Sequence, residues 1–225
     1  NTFILTVNPV NDAPVIADIN IPSSGNEGEE LCYNVVAYDV DGDDLTADWD
    51  FGDGSSGTDF NPCHTYIDNG EYNINVTITD GAGGSDTDGS SSTISNVAPT
   101  ITATIPSSGD EGEELSFSSS HTDPGADDTH SYSWDFGDGN SASGSDANHT
   151  YIDNGTYIVT VEVCDNDGDC DSATSDVAIY NVAPSITVTI PSSGDEGSEL
   201  SFSSSHTDPG ADDTHSYSWD FGDGN

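Results

Sequence analysis

The sequence predicts an all-β chain built as a tandem array of small sandwiches, and three observations predict it. The string Trp49-Asp50-Phe51-Gly52-Asp53-Gly54 returns as Trp134–Gly139 and again as Trp219–Gly224, each time 85 residues on. Pro14, Pro99 and Pro184 repeat at the same interval of 85 residues, so the period stands independently of the tryptophans. Apolar residues alternate with polar ones in short runs, as in Tyr72, Ile74, Val76 and Ile78, and no segment carries a helical period. One repeat is long enough to enclose one small core.

Composition narrows the function. The chain has no Lys or Arg against 43 Asp and Glu, a formal charge of −43. Nothing in it can neutralise a phosphate, which excludes nucleic acid and anionic membrane as electrostatic partners. Two carboxylates about 4 Å apart repel by about 1 kcal/mol even in water. Charges this dense must be spread over solvent or gathered around cations. The recurring aromatic and β-branched residues argue against disorder, despite the acidity. No stretch resembles a membrane span or a signal peptide, so no membrane insertion is expected in this segment.

In chain order, residues 1–10, with Thr2–Val7 extended, are expected to be the last strand of an upstream domain. Asn11-Asp12-Ala13-Pro14 is a short stiff linker, and residues 11–99 form the first repeat with that linker. Within it Val15–Ile21 is a strand, Ser23–Gly28 a turn and Leu31–Val35 a second strand. Asp39–Asp44 is an acidic loop. Leu45–Phe51 is a strand with Trp49 and Phe51 on one face. In the strand from Tyr72, the residues Asn73, Asn75, Thr77 and Thr79 face outward. A polar tract precedes a last strand near Thr93-Ile94. Residues 100–184 follow the same order with Leu115/Phe117, Trp134/Phe136 and Tyr157/Val159/Val161/Val163. Residues 185–225 differ from 100–140 only at Ser185, Val188 and Ser198. They amount to the first half of a third repeat, whose core needs further chain or strands from another copy.

These residues resemble a known family. The hexapeptide, then His64-Thr65-Tyr66 with Gly70-x-Tyr72, and His149-Thr150-Tyr151 with Gly155-x-Tyr157, are similar to PKD (polycystic kidney disease) domains. The resemblance covers two repeats fully and half of a third. It implies tandem immunoglobulin-like, PKD-type β-sandwiches arranged head to tail, used in extracellular proteins as spacer, adhesion or carbohydrate-associated modules. Asn8–Val15 also resembles linkers of cadherin-like bacterial adhesins. The motif itself reads as scaffold: Trp49 and Phe51 enter the core, Gly52 and Gly54 allow the turn, and Tyr72 sits where a tyrosine corner would lie.

Comparison between repeats decides the cysteines. Cys32 and Cys63 correspond to Ser116 and Asn148, and Cys164 and Cys170 to Thr79 and Ser85. Each pair is present or absent together, which predicts Cys32–Cys63 and Cys164–Cys170 disulfides and an oxidising, extracellular compartment. Metal binding by the Cys-x5-Cys run is the alternative. Asn75, Asn148 and Asn154 head Asn-x-Thr sequons for glycosylation, and the Ser/Thr tract Ser90–Thr93 could carry O-linked sugars.

The implied topology groups the acidic loops at each joint between domains. After repeat one, Glu27 or Glu29, Asp68 and Asn96 would face Asp123, Asp127, Asp128, Asp165, Asp167 and Asp169. Asp39, Asp41, Asp43 and Asp80 would line the first joint, and Asp208, Asp212 and Asp213 the next. Such oxygen-rich groups suit Ca2+, and cadherin-like arrays hold calcium similarly. Solvated loops of a salt-adapted protein are the alternative. Zinc at His121 and His130 is a further reading. Histidines repeat with the domain and no Gly-x-Ser-x-Gly elbow is present, so no enzyme activity is expected. The expected function is a calcium-stiffened, glycosylated stalk, adhesin shaft or surface fibre. Its partners would be further copies of the repeat, in the same or neighbouring chains, and cell-surface or matrix glycans. The alternative is a polysaccharide- or protein-binding accessory module of a secreted hydrolase, with Tyr38, Phe60 and Tyr180 as the loose aromatic candidates.

Overall fold

The structure, a computed structural model, describes residues 10–222. The strand expected at Thr2–Val7 lies outside the described residues. The chain divides into two units. Unit 1 holds the first repeat together with Thr122–His130 and Asp165–Asp169, and unit 2 holds Thr100–His121, Ser131–Cys164 and the chain from Cys170 onward. Every element among the described residues is a strand.

In unit 1 the strands are β1 (Val15–Asn20), β2 (Ser24–Asn26), β3 (Glu30–Cys32), β4 (Asn34–Tyr38), β5 (Thr46–Asp50), β6 (Ser56–Thr58), β7 (Cys63–Thr65), β8 (Gly70–Thr79) and β9 (Ser85–Ser95). One sheet has the order β2-β9-β8-β5-β6; β1-β4 and β3-β7 form two short ladders opposite it. The core between them contains Tyr33 and Val35 from one side and Trp49, Ile74, Val76, Ile78 and Ile94 from the other. Alternation explains this: Ile74, Val76 and Ile78 are buried while Asn73 and Asn75 between them are exposed.

Three expectations are corrected. Ser23–Gly28 is not only a turn, because Ser24–Asn26 pairs in parallel with Thr93–Ser95 of β9. The Leu31–Val35 strand is broken at Tyr33, whose N–H bonds the carbonyl of Pro62 at 2.8 Å. β3 therefore pairs with β7 and β4 with β1. The polar tract is a strand: β9 begins at Ser85, because pairing with β8 runs unbroken from Thr79↔Ser85 to Gly70↔Ile94. Residue polarity hid it, since most of that strand faces solvent.

In unit 2 the strands are β10 (Thr100–Thr104), β11 (Ser108–Asp110), β12 (Glu114–Thr122), β13 (Ser131–Asp135), β14 (Ser141–Ser143), β15 (Asp146–Thr150), β16 (Gly155–Cys164) and β17 (Cys170–Tyr180), then β18 (Ser185–Thr189) and β19 (Ser203–Thr207). The sheets β11-β17-β16-β13-β14 and β10-β12-β15 enclose Phe117, Trp134, Phe136, Tyr151, Val159, Val161, Val177 and Ile179. In the third repeat β18 pairs antiparallel with β19. Phe202, Trp219 and Phe221, the counterparts of core residues, remain partly exposed.

Both disulfides form as expected. Cys32 and Cys63 face each other across β3 and β7, and Cys164 and Cys170 across β16 and β17. The same positions are cross-strand partners where cysteine is absent, Ser116↔Asn148 and Thr79↔Ser85. Shared pairing is why each couple is gained or lost together.

The repeated motifs resolve into scaffold. The Trp49 indole N–H donates to the Asp59 carbonyl at 2.9 Å, and Trp134 does the same to Gly144 at 3.0 Å. Both acceptors have positive φ, 130° for Asp59 and 100° for Gly144. A side chain is strained there, whereas glycine is not. Asp59→Gly is expected to stabilise the first sandwich by about 1 kcal/mol, read as a raised denaturant midpoint. An unchanged or lowered midpoint would refute this account. The Tyr72 and Tyr157 hydroxyls donate to the carbonyls of Asp68 and Asp153 at 3.0 and 2.9 Å, the expected tyrosine corner.

Candidate cation-binding acidic clusters

The hexapeptide's second aspartate is not a metal ligand. Asp53 Oδ2 lies 2.6 Å from His64 Nε2, and the His64 ring stacks on Phe51 with centroids 4.4 Å apart. Ser55 Oγ also approaches that same nitrogen, at 3.2 Å. A nucleophilic triad needs serine and carboxylate on opposite ring nitrogens, so this trio is a loop brace. Repeat two keeps the His149–Asp138 pair at 2.7 Å but has Asn140 in place of the serine. Burial works against ionisation of Asp53, but hydrogen bonds from Ser55 and His64 outweigh it and hold its carboxyl below the usual range. A lowered folded pKa gives stability that is present above the unfolded value of about 3.9 and is lost as pH falls through the folded one. Asp53→Asn should therefore flatten the acid limb of first-sandwich stability below about pH 4; superimposable acid limbs would contradict the assignment.

The acidic loops divide into two kinds. In one kind the carboxylates bond chiefly to their own loops. Asp39 Oδ1 accepts from the backbone N–H of Asp41, Gly42 and Asp43, while its Oδ2 is buried without a partner. Asp80 Oδ1 accepts from Ala82, Gly83 and Gly84, and its Oδ2 from Asn11 Nδ2 at 2.8 Å. Asp41 Oδ2 accepts from the Asp12 N–H. The Asn11 bond comes first in holding Asp80 below the usual carboxylate range, with burial opposing it. The equivalent Asp165 accepts from Asp167, Gly168 and Asp169 through Oδ1 and from Asn96 Nδ2 through Oδ2. Burial opposes its ionisation, and these bonds overcome that to keep it low.

The other kind lies within unit 1, where Thr122–His130 meets the first sandwich. Glu27 is 2% exposed. Its Oε1 accepts from the Val97 N–H at 2.7 Å, while Oε2 is buried with no hydrogen-bond partner. Both carboxylate oxygens of Asp128 are likewise buried and unpartnered, as is Asn96 Oδ1. Glu27, Asp68 and Asp128 form one group of ligand atoms within 4.8 Å of one another, and Asp123, Asp128 and Asp165 form another. A Cβ on Gly125 would come 2.2 Å from Asp128 Oδ2 and 2.9 Å from Glu27 Cδ, so glycine there lets the carboxylates close in. Burial raises the Glu27 carboxyl against the pull of the Val97 bond, and Asp128, Asp123 and Asp68 raise it further. Burial, then Asp123, Asp167, Asp165 and Asp68, raise Asp128. An ionised acid cluster with no Lys or Arg in the chain is an electrostatic deficit that a cation would fill.

The expected group is thus partly brought together. Glu27 joins it and Glu29 does not: Glu29 Oε2 caps the Asn26 N–H instead. Gly28, at φ 72°, separates them by bonding the Tyr66 carbonyl, so the two glutamates leave the loop differently. Asp127 enters only through its backbone N–H, to Ile67 O, and Asp167 belongs to neither group. Asp169 meets Asn96 Nδ2 at 2.9 Å. No three-ligand group includes Asp39, Asp41, Asp43 or Asp80 among the described residues. His130 Nε2 sits 2.8 Å from Asp123 Oδ2, and His121 Nδ1 meets the Tyr132 hydroxyl.

Unit 2 repeats the arrangement. Glu111 is 2% exposed, with Oε1 on the Val182 N–H at 2.7 Å and Oε2 buried and unpartnered. Asp208, Asp213 and His215 form a three-ligand group beside Gly210, where a Cβ would lie 2.9 Å from Asp213 Oδ2 and 3.0 Å from Glu111 Cδ. Sequence reasoning missed Glu111; its signal was the shared Glu-Gly after a short Ser-Gly-x run.

Repeat modules built on paired sheets, with acidic loops gathered about a buried glutamate, are the class of protein that this fold and these sites define. The family model for the PKD domain matches residues 11–94, 96–179 and 181–225, and the chain belongs to that family. A microbial collagenase of Vibrio alginolyticus is 37% identical over 68 residues, 30% of this chain and 8% of that protein. Collagenase ColA of Clostridium perfringens is 32% identical over 77 residues, 34% of this chain and 6% of that protein. The chain therefore spans less than a tenth of the length of these relatives. The crystal structure of the PKD1 domain of Vibrio anguillarum Epp is 26% identical, with a TM-score of 0.33, covering 38% of this chain and 96% of its own. No helix among the described residues is long and apolar enough to cross a membrane.

Proposed function

We propose that this chain is an extracellular, non-catalytic spacer array whose acidic loops bind calcium and stiffen it. The observation that carries the reading is the buried, half-unpartnered glutamate, Glu27 and again Glu111, facing further carboxylates in a chain without Lys or Arg. Calcium takes six to eight oxygens, and millimolar extracellular calcium fills even sites of about 10⁻⁴–10⁻³ M affinity. The near-identity of residues 100–140 and 185–225 supports a spacer, which needs copies more than variation. The disulfides and the likeness to collagenases support a secreted setting. Asn75, Asn148 and Asn154 are exposed, as glycan acceptors must be; intact-mass comparison before and after deglycosylation tests them. Negative-stain electron microscopy of the protein tests the stiffening. Straight rods in calcium and bent beads in chelator are expected, and the same shape in both would overturn it.

The likeness to two collagenases favours a second reading, as accessory modules of a secreted hydrolase that bind its polymeric substrate. Tyr38 and Tyr180 are exposed and could serve such contact, whereas Phe60 packs against the first core and could not. Co-sedimentation with insoluble collagen and with polysaccharides tests this. Binding lost in Tyr38→Ala and Tyr180→Ala supports it, and no sedimentation with any polymer removes it.

A further inference from the structure

We propose that the unit 1 cluster holds two divalent cations of the calcium type, bridged by Asp128. The inference rests on the calcium reading above and specifies its stoichiometry and ligands. Oxygens bound to one calcium at about 2.3–2.6 Å lie within about 5 Å of each other. The five carboxylates do not form a single group within that limit. They fall into Glu27–Asp68–Asp128 and Asp123–Asp128–Asp165, each within 4.8 Å, with Asp128 in both.

The unpartnered atoms gather at the first triplet and at the carboxylate that both triplets share. Glu27 Oε2 belongs to the first group, and both oxygens of Asp128, which belongs to both groups, lack partners and are buried. In the second triplet Asp123 meets Gly125 N–H through Oδ1 and His130 through Oδ2, and Asp165 accepts on both oxygens, so a second ion would take their remaining lone pairs. Asp128 spends neither oxygen on a hydrogen bond. Asn96 holds Asp165 and Asp169 through Nδ2 and leaves its buried Oδ1 free as a neutral ligand.

Charge points the same way. One divalent ion would leave three of the five carboxylates uncompensated, and two would leave one. Gly125 completes the case, because any side chain there would occupy the space between Asp128 and Glu27.

Native mass spectrometry of the whole chain, titrated with calcium, decides the matter. Asp128→Asn is expected to bind two fewer ions than the parent protein, and Glu27→Gln, which keeps the acceptor for the Val97 N–H, one fewer. One ion lost in both variants would establish a single-ion site and overturn the proposal. No ion lost in either would show a carboxyl cluster that shares protons only. Hydrogen exchange in β8 reports whether each variant stays folded. If Asp128→Asn loses that protection, Glu27→Gln combined with Asp123→Asn, one change in each triplet, must lose two ions where Glu27→Gln alone loses one, and one ion lost in the double variant would overturn the proposal. Failure of the broader reading looks different: unfolding of the parent protein would then not respond to calcium at all.

Discussion

Trp49→Ala is expected to unfold the first sandwich or bring it close to unfolding while leaving the second intact. Trp49 is 1% exposed, packs with Tyr33 and Phe51, and donates its indole N–H to Asp59. Truncating a buried tryptophan costs about 3–5 kcal/mol, and the orphaned Asp59 carbonyl adds to that. A small domain has about 5–15 kcal/mol in all, and one of this size sits toward the lower end. Because a two-sandwich chain is not two-state, the measurement must be local. Hydrogen exchange with peptic digestion suits it, since a chain without Lys or Arg gives trypsin no site. Exchange in β5 and β8 should accelerate by a factor of about 10² or more, with β13 and β16 unchanged. Unaltered protection in β8 would mean that Trp49 is not the keystone its burial suggests.

Calcium should produce the second large effect. A ligand at about one hundred times its dissociation constant stabilises the folded state by about 2.7 kcal/mol per site. For a domain of this size that corresponds to a rise in Tm of roughly 10–20 °C. The comparison is between excess chelator and millimolar calcium at fixed ionic strength, because monovalent salt also screens a charge of −43. Glu27→Gln should lose much of the rise and gain stability in chelator, since it removes a buried charge from the cluster. Equal Tm in both buffers would end the calcium reading.

Much of the scaffold was legible because its rules are local. Alternation at Tyr72–Ile78 fixed a strand and its inner face, and the hexapeptide fixed the register of the repeat. The covariation of cysteines between repeats reported cross-strand neighbours. What escaped depended on distant partners. The Ser24–Asn26 strand exists only because β9 lies beside it, and β9 is visible as a strand only once β8 is in place. The acidic site was legible as a composition of loops but not as a choice of oxygens. Glu27 and Glu29 are equivalent on paper, and the positive φ of Gly28 decides between them. Likewise Asp127 and Asp128 are neighbours, yet only one turns its carboxylate toward Glu27.

The first strand carries one more lesson. Between the linker proline and the next proline the first repeat has an additional residue relative to the second. The register of β1 against β4 shifts between Ile16 and Asp18, leaving Ala17 as a bulge. The surplus is absorbed in the two-stranded β1-β4 ladder, before Glu27, while Ile16 and Ile19 on either side of the bulge still pack against the first core. Insertions at this point are therefore tolerated mechanically, like slack taken up at the hem of a garment. A designer who wished to lengthen the array's repeat, or to seat a tag within it, would cut here and leave the register of the remaining strands untouched.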